Sequence, residues 1–157
     1  KLFYKLISNF PKMHTICVNQ YTKLLEIFNV IEFGDENDYD HFCAINKKND
    51  KRRALVSFYT ELYKYEILGN DEINILLDKL FKLIKETTNK LIFDEIYENI
   101  DIILKEIGGD LMEEQIGDKI QKNLIDILDI LNETNISKKI KFKIFDIIEI
   151  LDIELEN

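Results

Sequence analysis

One proline and five glycines in 157 residues leave little material for tight turns. Many hairpins need residues with a preset or positive φ, so the short supply argues against an all-β fold. Tryptophan is absent, and arginine occurs only at Arg52 and Arg53. The two cysteines, Cys17 and Cys43, are too few for a disulfide framework and suit a reducing compartment. No run approaches the eighteen or so apolar residues of a membrane span, because Lys, Asp or Glu interrupts every isoleucine-rich stretch. The first residues, Lys1-Leu2-Phe3-Tyr4-Lys5-Leu6-Ile7, lack the long apolar core of a signal peptide. These absences point to a soluble, cytoplasmic protein without a membrane partner. The chain starts at Lys1 inside an amphipathic pattern, so it reads as part of something longer.

What is present is 46% apolar and 32% charged residues, the composition of one compact domain over residues 1–157. The net charge of −9 is uneven. Residues 1–69 carry 10 basic and 9 acidic side chains; residues 70–157 carry 11 and 21. A surface this acidic repels a polyphosphate backbone, so nucleic acid could be held only on a local basic patch.

The 27 isoleucines favour strands by propensity, yet strict alternation fails beyond short windows while three-and-four spacing persists for several turns. The chain therefore reads as all-α. Ile16, Tyr21, Leu24, Leu25, Phe28 and Ile31 mark a first face. Residues 34–50 read as an internal polar loop region, Gly34-Asp35-Glu36-Asn37-Asp38 and Asn46-Lys47-Lys48-Asn49-Asp50, with a short helix over 39–45 between them. Ala54, Leu55, Phe58, Leu62, Tyr63 and Ile67 line a helix that Gly69 ends in the left-handed conformation. Asn70 or Asp71 caps the next, with Ile73, Leu76, Leu77, Leu80, Leu83 and Ile84. Another follows through Ile92, Ile96, Ile100, Ile103 and Ile107, stopped by Gly108-Gly109, and Asp110 opens one with Ile116, Ile120, Leu124, Ile127 or Leu128, and Leu131. The last carries Ile140, Ile144, Ile147, Ile148 and Leu151. Short connections and second apolar stripes predict antiparallel hairpins stacked as an α-solenoid, with a spacing near the HEAT repeat of about 40 residues.

No phosphate loop, dinucleotide fingerprint, nucleophile elbow or His-Glu-x-x-His occurs, and the carboxylates recur on polar helix faces, so neither an enzyme nor a cofactor site is expected. His14, Cys17, His41 and Cys43 fit no standard zinc spacing. Phe58, Tyr59, Leu62, Tyr63 and Tyr65 suit a helix interface with Phe58 and Leu62 inside and the tyrosine hydroxyls outside, rather than a base-stacking platform. Two basic clusters remain as candidate partner or RNA patches: Lys47, Lys48, Lys51, Arg52 and Arg53 in a loop and helix start, and Lys138, Lys139, Lys141 and Lys143 at the start of the last helix. Five cations at a helix N-terminus would oppose its macrodipole.

Three segments carry a family likeness. Phe58 with Glu61-Leu62-Tyr63-Lys64-Tyr65-Glu66-Ile67-Leu68, the turn Ile107-Gly108-Gly109-Asp110-Leu111, and Ser137-Lys138-Lys139-Ile140-Lys141-Phe142-Lys143-Ile144-Phe145-Asp146-Ile147-Ile148-Glu149-Ile150 occur in one order and spacing. Over about the last 100 residues the chain resembles the C-terminal two-thirds of the HEAT-type middle domain of the eukaryotic translation initiation scaffold four-gamma. Lys139 and Lys141 stand where that signature has arginine, which removes the planar bidentate fork. The resemblance implies a solenoid without chemistry of its own that holds the two lobes of a DEAD-box RNA helicase, initiation factor four-A, and supports mRNA recruitment. Two other expectations stand beside it: a same-fold adaptor in mRNA decay, splicing or cap binding, and an RNA-binding module using the lysine patches.

Overall fold

A computed structural model of the chain describes residues 5, 9–32, 38–134 and 136–154. It is all-α, with no strand among the described residues. The helices treated below are α1 (Pro11–Ile27), α2 (Tyr39–Lys64), α3 (Asn70–Glu86), α4 (Lys90–Met112), α5 (Gly117–Thr134) and α6 (Lys138–Ile150). Internal contacts group the chain into two compact units, Lys1–Lys79 and Leu80–Asn157, with the division falling inside α3.

In the first unit α1 packs on α2. Pro11 opens α1 where a missing N–H costs nothing, and Tyr21, Leu24 and Phe28 form its buried face; Ile16 is exposed instead. The Tyr21 and Tyr59 rings meet edge to face with centroids 5.4 Å apart, and the Tyr21 hydroxyl donates to the Glu72 carbonyl. Tyr59 is therefore core, contrary to the expectation that the tyrosines lie with Phe58 and Leu62 inside and their hydroxyls out; Leu62 is buried and Phe58 is only half-buried.

The polar run at residues 46–50 is helix, not loop. Asp38 caps α2 by accepting from the His41 N–H at 3.0 Å, and the helix then continues without a break to Lys64. Ile45, Arg52, Val56 and Tyr59 share one buried face, so the apolar contacts on either side of the run carry the helix through it. The other half of the expected loop, Gly34 to Asn37, lies outside the described residues, as do Lys1 to Tyr4.

Glycine does not end α2 either. Glu66 takes the left-handed conformation at φ 57°, its N–H reaches the Tyr63 carbonyl, and the Ile67 N–H reaches the Leu62 carbonyl at 2.9 Å, with Leu62 and Ile67 both buried. This is a Schellman closure with glutamate in the position that glycine usually holds. Gly69 instead precedes α3, where its N–H donates to the Glu72 carboxylate at 2.9 Å. Ile73, Leu76 and Leu77 are fully buried.

In the second unit α4, α5 and α6 each pack against the other two. Asn89 caps α4 by accepting from the Leu91 and Ile92 N–H groups at 2.9 and 3.2 Å. The helix runs through Gly108-Gly109 to Met112 rather than stopping there, because neither of these two glycines has positive φ and Leu104, Ile107 and Leu111 continue one buried face. Gly108 lies against Leu151, whose Cδ2 would stand 2.8 Å from an added Cβ. The turn comes after Met112, and Gly117 is the glycine it needs: a Cβ there would sit 2.7 Å from the Met112 carbonyl oxygen. Ile120, Leu124, Ile127 and Leu131 on α5, and Ile140, Ile144, Ile147 and Ile148 on α6, are buried as their spacing requires. Ser137 caps α6 through the Ile140 N–H, and Asp152, at φ 52°, closes it in the same way that Glu66 closes α2.

Candidate functional site

The first basic cluster sits in the middle of α2, where a helix has no end charge, so the expected conflict with the macrodipole is absent. Lys47, Lys48 and Lys51 are exposed, while Arg52 is buried. Arg52 Nη1 donates to Asn49 Oδ1 at 2.7 Å, and its guanidinium lies 5.8 Å from the Phe28 ring centroid. Arg52 is thus part of the α1–α2 core and not of a surface patch. Lys48 Nζ lies 2.5 Å from Glu32 Oε2; its hydrogen bond and its charge hold that carboxyl below the usual glutamate range. Arg53 stands 3.9 Å from Asp50 across one helical turn. Beside these residues a cavity of about 320 Å³ is lined by Ile27, Val30, Ile45 and Leu55, with Lys48 and Lys51 among its polar groups.

The second cluster is divided by what each lysine meets. Lys139 Nζ donates to Glu98 Oε1 at 2.6 Å, and Lys143 Nζ donates to Glu98 Oε2 at 2.7 Å and to Asp101 Oδ2 at 3.0 Å. Lys105 reaches the same Asp101 oxygen at 2.9 Å. The Asp101 side chain is only 6% exposed and that of Glu98 17%, and each lies against two lysine ammonium groups, the pairing that a carboxylate so far withdrawn from water requires. Burial raises the pKa of Glu98, but hydrogen bonds and charges from Lys139 and Lys143 outweigh it and the net direction is down. Burial likewise lowers that of Lys143, and the two carboxylates outweigh it, so its net direction is up. The buried Tyr97 phenol is pushed well up, first by burial and then by the charges of Asp101, Asp146 and Glu98. Lys138 is exposed and Lys141 donates to Asn132 Oδ1 at 2.6 Å.

Of the nine predicted basic residues, the structure therefore turns two inward, Arg52 into the first unit's core and Lys143 onto α4, while Lys139, 61% exposed, is held to α4 by Glu98 at the surface. Lys47, Lys51 and Lys138 present their charge outward. Glu98 and Asp101 were hidden in the sequence as ordinary polar-face carboxylates. Phe142 and Phe145 were equally inconspicuous; they are 71% and 41% exposed, and three-residue spacing opposite the isoleucine stripe is the signal that marks them.

Among the described residues no three His, Cys, Asp or Glu side chains come together as metal ligands. His14 and His41 are exposed; Cys17 is half-buried, and burial raises its thiol pKa. No helix among the described residues is long and apolar enough to cross a membrane. Compared with family models, with curated proteins and with solved structures, the chain finds no match.

Proposed function

We propose that this chain is a non-catalytic scaffold of stacked HEAT-type hairpins that binds a DEAD-box RNA helicase of the initiation factor four-A type in the cytoplasm and supports mRNA recruitment. The observation that carries the reading is the segment Ser137 to Ile150, which follows the scaffold signature nearly position by position. Its serine is a helix cap and its Ile140, Ile144, Ile147 and Ile148 are the inward face, which is the use such a signature would have in a solenoid repeat. A scaffold of this kind acts by differential binding: it favours one relative orientation of two lobes by contacting that orientation better.

A protein partner is preferred over RNA because Lys139 and Lys143 are engaged by Glu98 and Asp101, and the chain carries −9 overall. Immobilised chain incubated with the purified helicase is the test. Retention of the helicase together with faster ATP hydrolysis supports the reading. No retention by the chain, nor by the chain extended upstream to the complete domain, overturns it. If instead single-stranded RNA binds with a steep salt dependence that Lys138→Glu plus Lys141→Glu removes, the RNA-module reading replaces it.

A further inference from the structure

The outward face of α6 is its own complement. Lys138, Phe142, Phe145 and Glu149 fall at intervals of four, three and four residues, so they form one stripe along the helix, opposite the buried Ile140, Ile144, Ile147 and Ile148. All four members of the stripe are exposed. Two aromatic rings in its centre, with a cation at one end and an anion at the other, make a costly surface to leave in water and a specific one to cover.

The positions are symmetric as well as complementary. Phe142 and Phe145 are equally distant from the point midway between residues 143 and 144, and so are Lys138 and Glu149. When two such helices lie antiparallel about a two-fold axis through that point, Phe142 of each copy meets Phe145 of the other, and Lys138 of each meets Glu149 of the other. Every layer pairs like with like or plus with minus. A parallel arrangement would instead set Lys138 against Lys138 and Glu149 against Glu149. The spacing is that of an antiparallel coiled-coil seam about three turns long, with an aromatic centre and charged ends.

We infer that α6 pairs antiparallel with α6 of a second copy of this chain, forming a two-fold symmetric dimer through Phe142 and Phe145. A closed two-fold interface needs one self-complementary patch and nothing else. A single pair of short helices belongs to the small end of interface sizes, so the dimer forms at high protein concentration and exchanges quickly. The inference stands apart from the helicase reading, since it concerns the chain alone.

Sedimentation equilibrium over a wide concentration range tests it, with circular dichroism confirming that each variant stays folded. The wild-type chain should show a monomer–dimer equilibrium. Phe142→Asp should weaken it about a hundredfold, because the charge would be buried between rings. Lys138→Glu alone and Glu149→Lys alone should each weaken it about tenfold, since each places like charges opposite one another twice per dimer. Lys138→Glu combined with Glu149→Lys restores the alternation and should return the affinity to near wild type. That rescue separates antiparallel self-pairing from any general stickiness of the face. A chain that stays monomeric throughout, a dimer indifferent to Phe142→Asp, or a double charge swap no better than its single parents would each overturn the inference. So would helicase capture that depends on Phe142 by a chain that remains monomeric, which would assign the face to that partner.

Discussion

Lys143 on α6 bridges two carboxylates of α4, Glu98 at 2.7 Å and Asp101 at 3.0 Å, and so, together with Lys139, ties these two helices by charge beside their apolar packing. Its removal leaves Asp101, with 6% of its side chain exposed, supported by Lys105 alone. Lys143→Ala is expected to cost about 2 kcal/mol, less than a fully buried pair would because the lysine is a quarter exposed. Lys138→Ala, outside this network, should change stability by less than about 0.5 kcal/mol. Urea melts of the two variants beside the wild type make the comparison.

The same pair sets a pH window. Glu98 is held below 4.5, so its contribution is complete above that value and is lost as pH falls through the lower folded value. Lys143 is held above 10.5, so its contribution is complete below that value and is lost as pH rises through the higher folded one. Stability from this network should be flat between about pH 5 and 10 and fall on both sides. Glu98→Gln should lower the plateau and flatten the acid limb, read as melting temperature against pH.

Three tyrosines should resist ionisation. Burial pushes Tyr59 up to about 12, with the charge of Cys17 adding to it, and Tyr21 and Tyr97 are raised further, mainly by burial. Since the unfolded chain releases these protons near pH 10, stability falls as pH rises above that point. Spectrophotometric titration should show these three ionising only with loss of helix. Full phenolate formation with the helical signal intact would contradict their burial.

Glu66 and Asp152 each sit in left-handed backbone that a glycine would adopt without strain. Glu66→Gly and Asp152→Gly should therefore each stabilise the fold, by roughly 1 kcal/mol at Glu66 and somewhat less at Asp152, since aspartate tolerates this conformation better. Thermal melts suffice to see it.

The glycines of the α4–α5 hairpin should respond in opposite directions. A Cβ at Gly109 meets nothing within 4 Å, so Gly109→Ala gains about 0.5–1 kcal/mol of helix propensity. At Gly117 the obstacle is backbone, the Met112 carbonyl oxygen, which cannot swing aside, and Gly117→Ala should cost about 2 kcal/mol. Equal effects at the two sites, measured by chemical denaturation, would contradict the placement of the turn.

From Ile73 onward the buried faces were legible in the sequence because they are made of aliphatic residues at helical spacing, a signal that needs no partner to be read. Elsewhere the local signal and the tertiary contact disagreed. The run at residues 46–50 looked like a loop since its polarity masks the Ile45–Arg52–Val56 face, and an arginine is a poor advertisement for burial. Gly69 and Gly108-Gly109 looked like helix stops, whereas glutamate makes the closure at Glu66 and the second pair lies inside α4, with Gly108 giving room to Leu151. For the candidate site, the lysine cluster at Lys138 to Lys143 was visible as charge. What the charge faces was not, because Glu98 and Asp101 lie about forty residues away and no local pattern reports such a pairing.

The unbroken course of α2 makes its polar middle a poor place for an epitope tag or a spacer, however loop-like its letters. One residue added after Lys47 would rotate everything downstream by about 100° and advance it 1.5 Å. Val56, Tyr59 and Leu62 would swing out of the interior together, and the chain would have to choose between melting the helix and surrendering its core.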